Sequence, residues 1–212
     1  MYSRAVTLSA AAALLAVSFA TADDKPAAEK PAEKPKAALK EGADLPGPFH
    51  PFNVVNGKYA DKFHNIINEH GLNPTVMIFA QNVDTTKPGP LPKLLQELDQ
   101  YIVERPKTRL NAFAVFLFND LADVVKDDDV RTARADQLNK LKSAEPALRQ
   151  VVLCLDSVAA LKAAGYELDP NAPVTVVLYD QLKVAKIYHP KEEANVATIM
   201  KYVKEEFAPF KK

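Results

Sequence analysis

Residues 172–188 read Ala-Pro-Val-Thr-Val-Val-Leu-Tyr-Asp-Gln-Leu-Lys-Val-Ala-Lys-Ile-Tyr. Two apolar, β-branched runs, 174–179 and 184–188, flank the turn Asp180-Gln181-Leu182-Lys183, the pattern of a β-hairpin. It is the only convincing hairpin in the chain. Upstream, each strand signal is parted from the next by a helical one. Residues 75–80 (Thr-Val-Met-Ile-Phe-Ala), 112–118 (Ala-Phe-Ala-Val-Phe-Leu-Phe) and 150–155 (Gln-Val-Val-Leu-Cys-Leu) are apolar without alternation, as strands covered on both faces are. Residues 51–55 form a further short strand signal. Phe63, Ile66 and Ile67 predict a helix over 58–70, stopped by Gly71. Leu94, Leu95, Leu98 and Ile102 predict another over 91–105, ended by Pro106. A third, capped by Asp129, carries Leu138 and Leu141 to about Ser143. A short fourth opens at Asp156 or Ser157 and closes at Gly165. The last spans 191–207 with Val196, Ile199, Met200, Val203 and Phe207. The order predicts an α/β, three-layer sandwich: a mixed central sheet with helices on both faces.

The N-terminus carries a different signal. Arg4 precedes an uncharged apolar or small run over 5–20, and Ala20-Thr21-Ala22 has the small-x-small form of a signal-peptidase site. Residues 1–22 are expected to be a cleaved secretory signal peptide. A retained anchor is the alternative, but the run falls short of the roughly 20 apolar residues that span a bilayer. No stable membrane insertion is expected after cleavage, and the mature protein is expected to be exported, periplasmic or extracellular. Residues 23–48 repeat Glu-Lys-Pro with little apolar bulk, the composition of an unfolded spacer. Residues 49–212 then form one domain. Formal charge is zero, from 27 basic and 27 acidic residues. With no basic stripe, nucleic acid is not an expected partner.

The order of elements resembles the thioredoxin-like superfamily, with the extra strand and helix of peroxiredoxin-type members. Residues 172–180 carry the resemblance most specifically. They are similar to the family stretch in which a cis-proline precedes the strand that begins the terminal hairpin. The resemblance implies a cis bond before Pro173; an ordinary trans proline at a strand start is the alternative reading. A narrower resemblance lies in Gly47-Pro48-Phe49-His50-Pro51-Phe52-Asn53-Val54 with Gly71-Leu72-Asn73-Pro74-Thr75-Val76. Both are similar to a group of exported bacterial thioredoxin-like proteins in which a Cys-x-x-Cys pair lies just before the Gly-Leu-Asn-Pro turn. Asn65 and Asn68 stand at the matching positions. An amide can neither ionise to a thiolate nor close a disulfide, so the resemblance implies a scaffold that has lost its redox pair.

The chain has a single cysteine, Cys154. Flanked by Leu153 and Leu155 in a strand, it is expected to be a small buried hydrophobe with a raised pKa. A peroxidatic cysteine belongs instead to the loop or first helical turn after the first core strand. That region, 81–91, offers Thr85 and Thr86 and no thiol. The four histidines, His50, His64, His70 and His189, lack ligand spacing. No cofactor and no catalytic or metal residues are therefore expected. The preferred reading is a redox-inactive module that binds a protein or extended peptide around Asn65, Asn68, Ala172 and Pro173. The alternatives are a thiol-dependent oxidoreductase or peroxidase using Cys154, and a metal carrier using His50, His64 and His70. The sequence does not address oligomeric state.

Overall fold

A computed structural model of the protein describes residues 39–144 and 146–209. The leader, most of the spacer and the last three residues lie outside them. A seven-stranded mixed sheet has the spatial order β2-β1-β5-β4-β3-β6-β7. Its centre is parallel: β3 (Thr75–Gln81) pairs with β4 (Asn111–Leu117), and β4 with β5 (Val152–Asp156). β6 (Val174–Asp180) runs antiparallel to β3, and β7 (Lys183–Tyr188) antiparallel to β6. On the other side, β1 (Phe52–Val55) pairs antiparallel with β5 and with the two-residue β2 (Lys62–Phe63).

The unbroken apolar run of β3 follows from cover on both faces. Val76, Ile78 and Ala80 pack in one core with Leu91, Leu94, Leu95 and Leu98 of α2 (Pro90–Glu104), Leu138 of α3 (Asp128–Ser143), and Val196, Ile199 and Met200 of α5 (Glu193–Tyr202). Met77 and Phe79 point the other way, into a second core with Ile66 and Ile67 of α1 (Ile66–His70) and Leu161 of α4 (Val158–Ala163). This is the three-layer α/β arrangement that the alternation of signals predicts.

Four local readings are corrected. The helix expected over 58–70 begins only at Ile66. Asn56, Gly57 and Asp61 have φ of 61°, 70° and 59°, which break any helix before it. Phe63 instead sits across from Phe52, ring centroids 5.2 Å apart, as part of β2. The residue before α3 is Asp127 rather than Asp129, and its Oδ2 accepts the Asp123 N–H at 2.8 Å instead of a helix N–H. α5 starts at Glu193 and passes into a π-helical turn over Val203–Phe207.

The fourth concerns the stretch expected as spacer. Its last ten residues, 39–48, are in contact with the domain. Gly42 N–H donates to Val184 O at 2.8 Å, Val184 N–H to Ala43 O at 2.9 Å, and Leu45 N–H to Leu182 O at 2.8 Å. Asp44 forms an antiparallel bridge with Lys183, and Leu39 and Leu45 pack on the second core. The cause is the edge of β7, whose outward N–H and C=O groups lack any other strand.

Candidate functional site

At the carboxyl ends of the parallel strands the chain must leave the sheet, so polar groups gather there. Gln81 closes β3 and ties the approach to β6. Its backbone N–H donates to Pro173 O at 2.8 Å, and its carboxamide Nε2 donates to Asp169 O and Ala172 O, both at 2.9 Å. Ala172 also donates its own N–H to Asp169 O at 3.1 Å. Both backbone groups of Ala172 are thus engaged within the chain.

Asn82 (φ 51°) turns the chain out of β3. Its Nδ2 donates to Asn119 Oδ1 at 2.8 Å and its Oδ1 accepts the Asn119 N–H at 2.7 Å, so the ends of β3 and β4 are locked. In the following loop Asp84 Oδ1 accepts the Thr86 hydroxyl at 2.6 Å and the Thr86 N–H at 3.0 Å, while Lys87 Nζ lies 3.0 Å from Oδ2. The Thr86 hydroxyl, then Lys87, hold the Asp84 carboxyl down to about 2. This Asx turn stands where a peroxidatic thiol would be expected, and its hydroxyl is committed to a carboxylate.

Asp156 ends β5, 2% exposed, and accepts the Ser157 N–H at 2.7 Å. Burial pushes its carboxyl up to about 6. Ser157 caps α4 by accepting the Ala160 N–H at 3.1 Å. Between α4 and the segment leading to Ala172 lies a cavity of about 370 Å³, lined by Gln81, Val158, Leu161, Lys162, Tyr166, Leu168 and Pro170 among others. Val158 on its rim is 49% exposed.

Under α1 lies a second polar group. Cys154 is fully buried, and its Sγ donates to Asn53 Oδ1 at 3.2 Å. Burial, with the nearby Asp156 and Glu69 carboxylates, pushes the thiol well up, the reverse of an activated cysteine. Glu69 Oε2 lies 3.5 Å from His64 Nε2, and the His64 ring stacks on Tyr59 at 3.6 Å. His70 stacks on Phe113 at 5.5 Å. Burial, then the charge of His64, brings the His70 imidazole down to about 4, so it is neutral at pH 7. Asn53 Nδ2, Glu69 Oε2, His70 Nε2 and the Tyr179 hydroxyl are buried without a hydrogen-bond partner among the described residues.

The residues singled out by sequence do not converge. Asn65 caps α1, its Oδ1 accepting the Asn68 N–H at 3.1 Å. That helix hands the chain to the amino end of β3, whereas Ala172 and Pro173 border its carboxyl end. His64 and His70 are near neighbours, but among the described residues no three His, Cys, Asp or Glu side chains are grouped to hold a metal ion. Sequence reading passed over Gln81, Asn53 and the Asn82–Asn119 pair. A polar side chain closing a long apolar run was the available signal for Gln81. The others have partners 37 and 101 positions away.

Neither a protein-family model nor a curated protein sequence matches the chain. Solved structures do. A candidate thiol:disulfide interchange protein DsbE from Chlorobium tepidum superposes with a TM-score of 0.50 at 16% identity, covering 78% of this chain and 96% of that one. A candidate protein disulfide isomerase from Bacteroides thetaiotaomicron gives 0.50 at 15% identity, with 79% and 90% covered. At such identity the likeness is one of fold. Together with the observed sheet order and helix layers, it makes this a thioredoxin-like fold built on a chain with a single, buried cysteine.

Proposed function

We propose that the protein is a non-catalytic thioredoxin-like module that binds an extended peptide or protein segment at the carboxyl end of its parallel strands. The observation that carries this reading is the state of the sulfur. The chain's one thiol is closed off inside β5, bonded to Asn53 and shifted away from ionisation, while the Asn82–Gly89 loop presents an Asx turn. With no thiolate within reach of solvent, binding must come from surface complementarity. The cavity beside Gln81 supports such a role. It combines apolar walls from Val158, Leu161 and Leu168 with the Lys162 ammonium, a setting for an apolar side chain of the partner. Since both backbone groups of Ala172 are engaged, the contact is made by side chains entering the cavity rather than by a strand added at Ala172. The apolar run over 5–20, followed by Ala20-Thr21-Ala22, supports an exported location for this activity; among the described residues no helix is long and apolar enough to cross a membrane.

Two measurements test the reading. In an insulin-reduction assay the wild type is expected to show no turnover above buffer, and native Cys154 is expected to react with an alkylating agent only after denaturation. Robust reductase turnover overturns the proposal. On the binding side, a peptide array in extended form is expected to give binders whose affinity drops at least about tenfold in Val158→Glu, with the melting temperature unchanged.

A further inference from the structure

We propose that the outer edge of β7 is a docking edge for an extended acidic strand, and that residues 39–45 are the chain's own copy of that ligand. The edge is real: β7 is the terminal strand of the sheet. The segment that fills it, Leu39-Lys40-Glu41-Gly42-Ala43-Asp44-Leu45, is held by three backbone hydrogen bonds to Val184 and Leu182. Such bonds belong to any extended chain and can be made equally well in trans. Sequence preference comes from the charges. The Glu41 carboxylate accepts the Ile187 N–H at 3.0 Å and lies 3.3 Å from Lys186 Nζ, while Asp44 stands opposite Lys183 in a backbone β-bridge, a cross-strand pair of opposite charge. One ion pair, Glu41 with Lys186, thus joins the segment to β7, Asp44 and Lys183 are aligned across the bridge, and Leu39 and Leu45 add apolar contact at the segment's ends.

The occupant is an imperfect strand. Gly42 has φ +79°, and beside this left-handed residue a side-chain carboxylate takes the Ile187 N–H that a regular strand would take with a backbone carbonyl. A continuous acidic strand can therefore make more main-chain bonds than the resident segment does. The resident segment holds the edge through its covalent link, which gives it an effective concentration on the order of millimolar. This edge is separate from the cavity beside Gln81, and neither reading depends on the other.

The test uses the full chain and a fluorescent peptide of residues 38–46. Wild type is compared with Glu41→Lys/Asp44→Lys and with Gly42→Pro, which removes the Gly42 donor and forbids its φ. Both variants are expected to bind the peptide at least about tenfold more tightly than wild type, because the resident competitor is weakened. Hydrogen exchange at Val184 and Ile187 is expected to quicken in both and to slow again when peptide is added. A peptide with lysine at both acidic positions is expected to bind at least about tenfold more weakly. The proposal is overturned if the variants' Val184 and Ile187 amides stay protected without peptide. It is overturned equally if peptide fails to bind once they are exposed, or if the charge-reversed peptide binds as well.

Discussion

Asp99 lies on the inner side of α2, 5% exposed, with Oδ1 accepting the backbone N–H groups of Arg149, Gln150 and Val151 at 2.9, 2.6 and 2.9 Å. One carboxylate oxygen thereby satisfies three donors in the segment that leads into β5. Asp99→Ala leaves the buried Val151 N–H without an acceptor and removes the partner of the half-buried Arg149 and Gln150 N–H groups, and is expected to cost about 3 kcal/mol. Asp99→Asn keeps an oxygen but loses the charge assistance, at about 1–2 kcal/mol. Urea denaturation of the two variants checks the order; equal losses would mean that packing, not acceptance, fixes the residue. Nothing in the spacing of α2 announces this role, since the partners of Asp99 lie 50 to 52 positions on. The burial of Cys154 was legible, because Leu153 and Leu155 mark a strand without an exposed face. Its bond to Asn53 was not, since only the β1–β5 register brings the two together.

Elements were legible where one physical cause dominates. β3, β4, β5 and the hairpin announce themselves by long apolar runs, and α2 by its leucine stripe with Pro106 behind it. α1 was misjudged because Phe63, Ile66 and Ile67 have helical spacing, while three left-handed residues before them decide the chain's path. The candidate site was less legible for the same reason: a signal near α1 and one near β6 are bound to opposite ends of β3. The β6–β7 turn carries strain of this kind. Gln181 and Leu182 have φ of 51° and 63°, the primed geometry that Asn-Gly adopts without penalty. Replacing Gln181-Leu182 with Asn-Gly is expected to raise stability by about 0.5–1 kcal/mol. Thermal melting gives the sign directly, and a lower melting temperature would show that Leu182, 38% exposed, contributes more by contact than it costs in backbone strain.

At the scale of the whole molecule, two buried groups set opposing pH responses. The Asp156 carboxyl rises from 3.8 to about 6 on folding. Its native form prefers the proton, so its stabilising contribution is present below about pH 3.8 and lost as pH rises through about 6. The His70 imidazole falls from 6.5 to about 4, so its contribution is present above about pH 6.5 and lost as pH falls through about 4. Each shift corresponds to about 3 kcal/mol, and in the window from pH 4 to 6.5 the two run in opposite directions. The wild type is therefore expected to show a nearly flat stability profile there. Below it, the exposed carboxyls of Asp84, Asp120 and Asp123, held down by their hydrogen bonds, begin to lose their partners' support. Single substitutions should uncover the hidden slopes. Asp156→Asn is expected to stabilise the protein at pH 7 by about 1–3 kcal/mol and to leave a profile that falls on acidification, because His70 then acts alone. His70→Gln is expected to lose its ring contact with Phe113 and to become more stable on acidification, because Asp156 then acts alone. Urea midpoints at pH 4.5, 5.5 and 6.5 measure both slopes. Slopes of the same sign in the two variants, or a steep wild-type profile, would mean that burial around α1 and at the end of β5 does not balance in this way.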